Sequence, residues 1–253
     1  MSLPAPRFLP AGDRALVVEF GDAIDDATNA RVLALAAQLR AQHAGSNGVQ
    51  AVVPTYRSLT VMYNPRYLSC SALRRLVLAC LETLDGGVAA PVRRWRVPVC
   101  YGGLYGEDLA PLAAAHGLTP DAVIALHSAP VYRVYMVGFL PGFAYLGGLD
   151  ARLHTPRRTV PRAATPAGSV NIGGQQTAVA SVAGPSGWHL LGRTPWRSFD
   201  LRRADPFLFT AGDEVVFTPI EAGEFARLEA AFADPGCIPQ AETMHPAPAE
   251  ALA

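Results

Sequence analysis

The sequence contains no lysine, and all 21 basic residues of the 253-residue chain are arginine. This absence excludes a Walker A lysine, a Schiff-base lysine and a Ser-Lys catalytic pair, because each of these sites depends on the lysine amine. Cysteine is also sparse, and no CxxC pair joins the four that are present, Cys70, Cys80, Cys100 and Cys237. The sequence therefore predicts no metal site, no disulfide framework and a reducing compartment, the cytoplasm.

Long apolar runs and an excess of charge are absent as well. No window approaches the roughly 18 uninterrupted apolar residues that indicate a membrane-spanning helix. Formal net charge is 0, whereas proteins that bind nucleic acid need a basic excess over phosphate. Residues 1–13 lack the charged start and apolar core of a signal peptide. We therefore expect a cytoplasmic protein whose partners include neither nucleic acid nor a membrane.

Residues 14–85 alternate strands and helices. Apolar residues at the spacing of one buried face define two helices, and short β-rich runs define three strands. The predicted elements are a strand at 15–20, a helix at about 25–43, strands at 49–53 and 58–63, and a helix at about 69–84. This order resembles the split βαβ, ferredoxin-like motif. We predict a ferredoxin-like α/β domain over residues 1–88, with residues 86–92 as the linker that follows it.

The rest of the chain has a different pattern of apolar residues, glycine and proline. It begins with a predicted strand at 93–101 and two predicted short helices at 107–116 and 120–127. From Val131 to Pro219, glycine and proline separate short apolar runs. Short strands with turn signals at this spacing predict a β-barrel or sandwich. We therefore assign residues 89–233 to a β-rich domain and the Pro-, Ala- and Glu-rich residues 234–253 to a loose tail. The predicted fold class is α+β.

The densest charge signal lies between Ala151 and Thr210. This window holds eight arginines and only two acidic residues, Asp200 and Asp205, in a neutral chain. The planar fork of arginine suits bidentate recognition of carboxylate and phosphate. These arginines have two other interpretations besides an anion site: they form a solvent-exposed face, or they form salt bridges to acids elsewhere in the fold.

Two segments sharpen the prediction of a polar site. The loop GFLPGFAYLGG (138–148) could bring backbone amides close to a ligand, but its pattern favours a wide barrel turn with packed aromatics. The segments AGSVNIGGQQT (167–177) and GWHLLGRTP (187–195) place amide, hydroxyl, imidazole and guanidinium groups among small residues. No GxSxG, GxGxxG, HExxH or EF-hand pattern accompanies them. The residues alone therefore predict an arginine-lined polar site in the β-rich half, but they do not indicate which reaction it catalyses.

Four segments carry a resemblance to a known family. They are VPTYRSLTVMYNP (53–65), VYMVGFLPGFAYLGGLD (134–150), TPRRTVPRAATPAGSVNIGGQQT (155–177) and GWHLLGRTP (187–195). They resemble the allophanate hydrolase subunit 1 / KipI family, and most closely those of its members that are the B subunits of 5-oxoprolinases. The resemblance extends from about residue 8 to residue 220.

The resemblance implies a ferredoxin-like domain followed by a cyclophilin-like β-barrel. It also implies membership of a heteromeric hydrolase that opens the 5-oxoproline lactam to glutamate at the expense of ATP, which acts in the assembled complex. The expected partners are a larger KipA-type barrel subunit and a third 5-oxoprolinase subunit, and we expect this chain to be inactive alone.

Matching positions imply His189 and Arg193 as catalytic residues. They also imply six substrate-binding residues: Arg157, Arg158, Arg162, Gln176, Thr177 and Thr194. Two other functions within the same family stay open. One is a subunit of an allophanate hydrolase or urea carboxylase type of enzyme that acts on another small amide, and the other is a KipI-like, non-enzymatic inhibitor of a histidine kinase.

Overall fold

The computed structural model describes residues 5–43, 46–84 and 92–244. The chain divides into two compact units, Met1–Ala89 and Ala90–Ala253. The linker predicted at 86–92 lies outside the described residues except for Val92, which begins a strand. Each unit has a hydrophobic core of its own.

The N-terminal unit is a four-stranded antiparallel sheet with two helices. Its elements are β1 Arg7–Pro10, β2 Ala15–Glu19, α1 Asp26–His43, β3 Val49–Pro54, β4 Ser58–Tyr63 and α2 Cys70–Thr83. The sheet order is β1-β2-β4-β3. Leu16 and Val18 of β2 alternate with more exposed neighbours and are buried in one core with Leu35 of α1 and Leu73 of α2. The sheet therefore buries one face against both helices.

Side-chain caps fix where the two helices begin. Asp25 Oδ1 accepts a hydrogen bond from the backbone N of Thr28 at 2.8 Å, and Ser69 Oγ accepts one from the backbone N of Ala72 at 3.2 Å. Each bond satisfies one of the amides that the first turn of a helix leaves unpaired. The helices predicted from about residues 25 and 69 are thus confirmed within one residue.

The C-terminal unit contains a closed barrel. Its helices are α3 Leu109–Ala115, α4 Pro120–Ser128 and α5 Ala222–Ala231, with a short 3-10 helix at Ala151–Leu153. Its strands are β5 Val92–Tyr101, β6 Tyr132–Val137, β7 Ala144–Gly147, β8 Arg162–Thr165, β9 Ser169–Gly173, β10 Gln176–Val179, β11 Gly184–Ser186, β12 His189–Arg193, β13 Glu214–Pro219 and β14 Glu242–Met244. Seven of these strands close in the order β12-β9-β10-β7-β6-β13-β5, because β5 pairs back to β12.

The interior of the barrel is packed with apolar side chains. Val97 of β5, Val134 of β6, Leu146 of β7 and Ile172 of β9 are fully buried in one cluster. Successive residues of a strand point to opposite faces, so the alternate positions of the same strands form the outer face of the barrel. The predicted α+β class, with a β-barrel or sandwich after the N-terminal unit, is confirmed as a barrel.

The end of the chain differs from the prediction. Residues 242–244, inside the segment predicted as a loose tail, form β14, which pairs antiparallel with the first residues of β5. Arg96 of β5 also donates from Nε to Glu242 Oε1 at 2.6 Å. The pairing comes from the main chain of a distant strand, so the composition of the tail does not indicate it. Residues 245–253 lie outside the described part of the chain.

No single helix of the described residues is long and apolar enough to cross a membrane. Taken together, α3 and α4 reach the required length and composition, but the two helices are bent by 96°.

Candidate functional site

A cavity of about 220 Å³ lies against the outer face of the barrel. We call it the aromatic pocket, after the residues that dominate it. Its lining consists of Phe139, Phe143, Tyr145, Arg157, Arg158, Pro161, Pro185, Ser186, Gly187 and Trp188. Tyr145 of β7 pairs with Ala178 of β10, and the neighbours of Tyr145 in β7 belong to the barrel core. The Tyr145 ring therefore stands on the outer face, where it contributes to the pocket.

Trp188 owes its position to a glycine. A Cβ atom on Gly173 would lie 2.4 Å from Cδ2 of Trp188, so the indole packs directly over the backbone of β9. Ser186 Oγ accepts a hydrogen bond from the backbone N of Trp188 at 3.1 Å, and the Tyr145 ring meets the indole edge-on at 5.8 Å between ring centroids. These contacts hold one wall of the aromatic pocket in place.

The opposite rim is formed by the loop between β6 and β7. Phe139 has a φ of 70° and is the single non-glycine residue with positive φ in the described part of the chain. The residue is 64% exposed, and its ring stands at right angles to that of Phe143, 5.8 Å away between centroids. Strained backbone of this kind costs about 1–3 kcal/mol and is concentrated at binding and active sites. The interpretation of 138–148 as a turn with packed aromatics agrees with these ring contacts.

Arg157 differs from the arginines around it. Its guanidinium carbon lies 5.6 Å from the centroid of the Trp188 ring. It forms no hydrogen bond or ion pair with any residue that the structure describes. The stacking orients the side chain, while its N–H donors stay available to an anion.

Arg158 and Arg162, by contrast, already bind carboxylates of the chain. Arg162 donates to both oxygens of Asp108 at 2.8 Å and pairs with Glu107 at 2.9 Å, and Arg158 Nη1 donates to Asp108 Oδ1 at 3.1 Å. Asp108 Oδ2 also accepts from the backbone N of Leu190 at 2.8 Å. We call Asp108, Glu107, Arg158 and Arg162 the Asp108 cluster. Arg158 and Arg162 therefore form salt bridges to acids elsewhere in the fold, which is one of the two alternatives to an anion site.

The charge state of Asp108 follows from this cluster. Burial by itself would raise the pKa of the Asp108 carboxyl. Hydrogen bonds from Arg162 and from the backbone N of Leu190, together with the positive charges of Arg162 and Arg158, outweigh burial and hold the pKa below its ordinary value. Asp108 is therefore ionised at neutral pH. Its negative charge offsets part of the arginine excess of residues 151–210.

Thr177 and Thr194 are buried inside the unit. Thr177 Oγ1 donates to the backbone O of Asn171 at 3.0 Å, and Thr194 Oγ1 accepts from the backbone N of Trp196 at 3.3 Å. Gln176 is also buried, but its Nε2 has no hydrogen-bond partner among the described residues. Since Gln176 pairs with Gly173, it shares the outer face over which Trp188 packs. Of these three residues, only Gln176 lies on the side of the aromatic pocket.

His189 and Arg193 occupy the two ends of β12. His189 Nε2 donates to the backbone O of Pro156 at 2.9 Å. Arg193 donates from Nε to the backbone O of Ala167 at 2.9 Å and from Nη2 to Glu229 Oε1 at 3.1 Å. At a rise of about 3.3 Å per residue, roughly 13 Å of strand separates them. The two predicted catalytic residues therefore do not meet at one reacting group of a small molecule within this chain.

Sequence reasoning missed a polar chain that runs through the barrel interior. The hydroxyl of Tyr101 donates to His127 Nδ1 at 2.8 Å, and His127 Nε2 donates to Thr177 Oγ1 at 2.8 Å. The His127 ring also stacks on Phe217 at 4.7 Å between centroids. Burial lowers the pKa of His127 to about 3, so the ring is neutral. A single histidine on a short helix carries no pattern that could have revealed these contacts.

The C-terminal unit also contains a second cavity. A larger cavity of about 500 Å³ is lined by residues including Tyr101, Leu104, Tyr105, Ile220 and Glu221, and none of the predicted site residues reaches it. Within the described ranges, no group of three or more His, Cys, Asp or Glu side chains is arranged to hold a metal ion.

We expect Gly173→Ala to disturb the aromatic pocket. The new methyl group would overlap the Trp188 ring, so the ring must move or the strand must bend, at a cost of about 1–3 kcal/mol in the free energy of unfolding. Urea unfolding measures the cost, and tryptophan emission reports the displaced ring. The matched control is Gly223→Ala in α5, where nothing lies within 4 Å and helix propensity favours alanine by up to about 1 kcal/mol. If both variants are stabilised, the described packing of Trp188 is wrong.

Comparison with known proteins places the chain in a family. The family described as "Carboxyltransferase domain, subdomain C and D" matches residues 6–209, and the chain belongs to it. The chain is 37% identical to the B subunit of 5-oxoprolinase from Bacillus subtilis, over 85% of this chain and 92% of that protein. It is 41% identical to the B subunit of 5-oxoprolinase from Escherichia coli O157:H7, over 84% of this chain and 95% of that protein.

Solved structures show the same fold. TTHA0988 is 37% identical with a TM-score of 0.72 over 83% of this chain, which spans only 40% of the TTHA0988 chain. A conserved uncharacterized protein of Pyrococcus horikoshii, PH0987, is 40% identical over 87% of this chain and 100% of that one, with a TM-score of 0.52. The Kluyveromyces lactis urea carboxylase is 20% identical, with a TM-score of 0.72 over 90% of this chain and 23% of that one, so it supports the fold alone.

Proposed function

We propose that this chain is a subunit of a heteromeric, ATP-dependent 5-oxoprolinase. The observation that carries the proposal is the similarity to 5-oxoprolinase subunits, which includes 92% of the Bacillus subtilis protein and 95% of the Escherichia coli O157:H7 protein. Because nearly the whole of those subunits is matched, the similarity extends beyond a shared module.

In the proposed reaction, one water molecule opens the lactam of 5-oxoproline to give glutamate. A second water molecule hydrolyses ATP to ADP and phosphate. This chain offers no Walker A lysine, since it contains no lysine. We assign ATP to the assembled complex, without choosing the subunit that binds it.

The proposed partners are a larger KipA-type barrel subunit and a third 5-oxoprolinase subunit, and we propose that this chain is inactive without them. Both relatives are themselves subunits of an enzyme, which supports the presence of further subunits. The longer chain of TTHA0988, of which this chain matches 40%, supports association of this module with additional protein.

We further propose that the N-terminal unit is a ferredoxin-like domain and the barrel a cyclophilin-like one. The order β1-β2-β4-β3 with two helices on one face supports the first assignment, and closure of seven strands supports the second. A reducing, cytoplasmic location is proposed on the basis of the four cysteines, all of which are free thiols.

The catalytic residues proposed are His189 and Arg193, with Arg157, Arg158, Arg162, Gln176, Thr177 and Thr194 in or behind the substrate site. Their geometry favours separate tasks. Arg157 offers free donors, whereas Asp108 orients Arg158 and Arg162. Arg193 donates to a backbone oxygen and to the half-exposed Glu229, and its guanidinium carbon lies 5.4 Å from the centroid of the Phe225 ring. Because Glu229 is half-exposed, a partner protein or a phosphoryl group can compete with it for Arg193.

Glutamate release tests the function. The chain is assayed with 5-oxoproline and ATP, first alone and then co-purified with its two proposed partners. Glutamate from the full set only is the expected result. An assembled complex that releases no glutamate would contradict the proposal and shift interest to allophanate or urea. Failure to assemble, together with inhibition of a histidine kinase, would favour a regulator.

In the active complex, Arg193→Gln should lower kcat at least tenfold, because the charged donor near the reaction is lost. Its stability should change by less than about 1 kcal/mol, since the Arg193–Glu229 pair is solvent-accessible. Arg227→Gln is the matched control, because Arg227 pairs with Glu224 on the exposed surface of α5. Equal kcat for both variants would remove Arg193 from the site.

A further inference from the structure

The aromatic pocket carries an unbalanced positive charge. Two arginines line it, and no acidic side chain of the described ranges does. Asp108 neutralises Arg158 from behind, whereas Arg157 has no such partner among the described residues. An arginine that lies beside a cavity and has no acidic partner can bind an anion there. Its planar guanidinium matches the two oxygens of a carboxylate.

The walls of the pocket favour a flat molecule. Arg157 stacks over Trp188, and Tyr145 and Phe143 continue the aromatic surface with their centroids 4.7 Å apart. Phe139 closes the rim from a backbone conformation that residues other than glycine rarely adopt. Aromatic faces on several sides are complementary to a small planar ring, whose edge stays available to hydrogen-bonding groups.

The size of the cavity limits the ligand further. At about 220 Å³ it is smaller than the roughly 300–1,000 Å³ of pockets that take drug-sized ligands. A single five-membered ring with one carboxylate fits within such a space, whereas a nucleotide would extend out of it into solvent. The pocket is therefore matched to a small metabolite.

Two buried amides add polar character to the same outer face. Asn171 pairs with Ala178, and Gln176 pairs with Gly173, so both side chains belong to the face that carries Tyr145 and lies under Trp188. Neither amide lines the cavity itself. Nε2 of Gln176 and both side-chain polar atoms of Asn171 lack partners among the described residues. Buried amides without partners are rare in proteins, and water, an ion or a ligand can satisfy them.

We propose that the aromatic pocket binds a small planar carboxylate, with Arg157 holding the carboxylate and Trp188 and Tyr145 flanking the ring. The identification of this ligand as 5-oxoproline rests on the proposed function. The site itself does not, because it belongs wholly to this chain. Phe139 and Phe143 then determine specificity by limiting the width of the ring.

The test is a titration of the full chain with 5-oxoproline, by calorimetry and by tryptophan emission, alone and in the assembled complex. Two probes separate the parts of the ligand: 2-pyrrolidinone has the ring without the carboxylate, and acetate has the carboxylate without the ring. We expect saturable binding of 5-oxoproline and at least tenfold weaker binding of either probe. Trp188→Phe should remove most of the emission change, because Trp95 and Trp196 lie in the barrel core.

Arg157→Gln should weaken binding of 5-oxoproline at least tenfold, and Arg157→Lys should weaken it less, because charge is kept and the fork is lost. Arg152→Gln is the control, since Arg152 is exposed and pairs with Asp150 outside the pocket. Unfolding curves that match wild type show that the variants are folded. Equal affinity of wild type and Arg157→Gln, or no saturable binding to the chain and the complex, would overturn the site.

The same variants separate this proposal from the proposed function. A complex that releases glutamate with an unchanged KM for 5-oxoproline in Arg157→Gln overturns the site and leaves the function standing. Binding that depends on Arg157, in a complex that does not turn over 5-oxoproline, supports the site and contradicts the function.

Discussion

Replacing Asp108 by asparagine should lower the free energy of unfolding of the C-terminal unit by about 3 kcal/mol, because it leaves the largely buried guanidinium of Arg162 with only the exposed Glu107 as an acidic partner. The Asp108 side chain is 9% exposed and that of Arg162 is 19% exposed, so solvent screens the pair only weakly. The asparagine can still accept from the backbone N of Leu190. The predicted loss therefore reports mainly the missing charge.

Urea unfolding measures this loss, and a matched substitution controls for it. Glu224→Gln makes the same carboxylate-to-amide change in an exposed i,i+3 pair with Arg227, where solvent screening should leave no measurable loss. The double variant Asp108→Asn, Arg162→Gln should recover part of the loss, because neither charge is then buried alone. Additive effects of the two substitutions would show that the ion pair is energetically unimportant.

The pH dependence of the same cluster has a definite sign. Since the pKa of Asp108 is lowered in the folded state, the unfolded chain binds a proton at a higher pH than the folded chain does. Its contribution is complete above the unfolded value of about 4 and is lost as the pH falls through the lower, folded value. Asp108→Asn should therefore flatten the stability curve below a pH of about 4 and leave its shape near neutrality unchanged.

The elements that the sequence predicts best are those with a long, regular apolar pattern. The three strands and two helices predicted for residues 15–84 are all present, because each buries an alternating or helical set of side chains in one core. The four-residue β1 and the three-residue β14 were missed, since both are defined by pairing with another strand. Helix α5 was missed because only Phe225 of its ten residues is buried, so no apolar face repeats along it.

For the candidate site, the sequence predicts chemical character better than geometry. The polar site predicted among the arginines of residues 151–210 stays a prediction, and the acid that neutralises Arg158 and Arg162 is Asp108, about 50 residues earlier in the chain. No local pattern connects residues so far apart. The position of Trp188 over Gly173 is likewise a product of strand register. Which arginine is left free for a ligand could therefore be found only from the fold.

His127 should make the protein lose stability between pH 6.5 and pH 3. Burial lowers its pKa from 6.5 to about 3, so the folded state keeps the ring neutral over that range. The unfolded chain takes up a proton below pH 6.5 and the folded chain does not, so the free energy of unfolding falls as the pH falls. The expected slope is about 1.4 kcal/mol per pH unit, or roughly 3 kcal/mol over the first two units below the unfolded value.

Urea unfolding at several pH values tests this slope, and His127→Gln should flatten it, because the glutamine amide keeps a donor and an acceptor for Thr177 and Tyr101 without a titrating group. His154→Gln should keep the wild-type slope, since His154 lies partly in solvent and makes one bond of 3.3 Å to the backbone O of Leu149. The carboxylates with lowered pKa values, Asp108 among them, change the free energy of unfolding as the pH falls below their unfolded values of about 4, so the upper part of the window is free of their contribution. A wild-type slope that survives in His127→Gln would show that groups other than His127 cause it. A wild-type protein without the slope would show that the folded state takes up the proton, and that the polar chain from Tyr101 to Thr177 is open to water rather than sealed in the core.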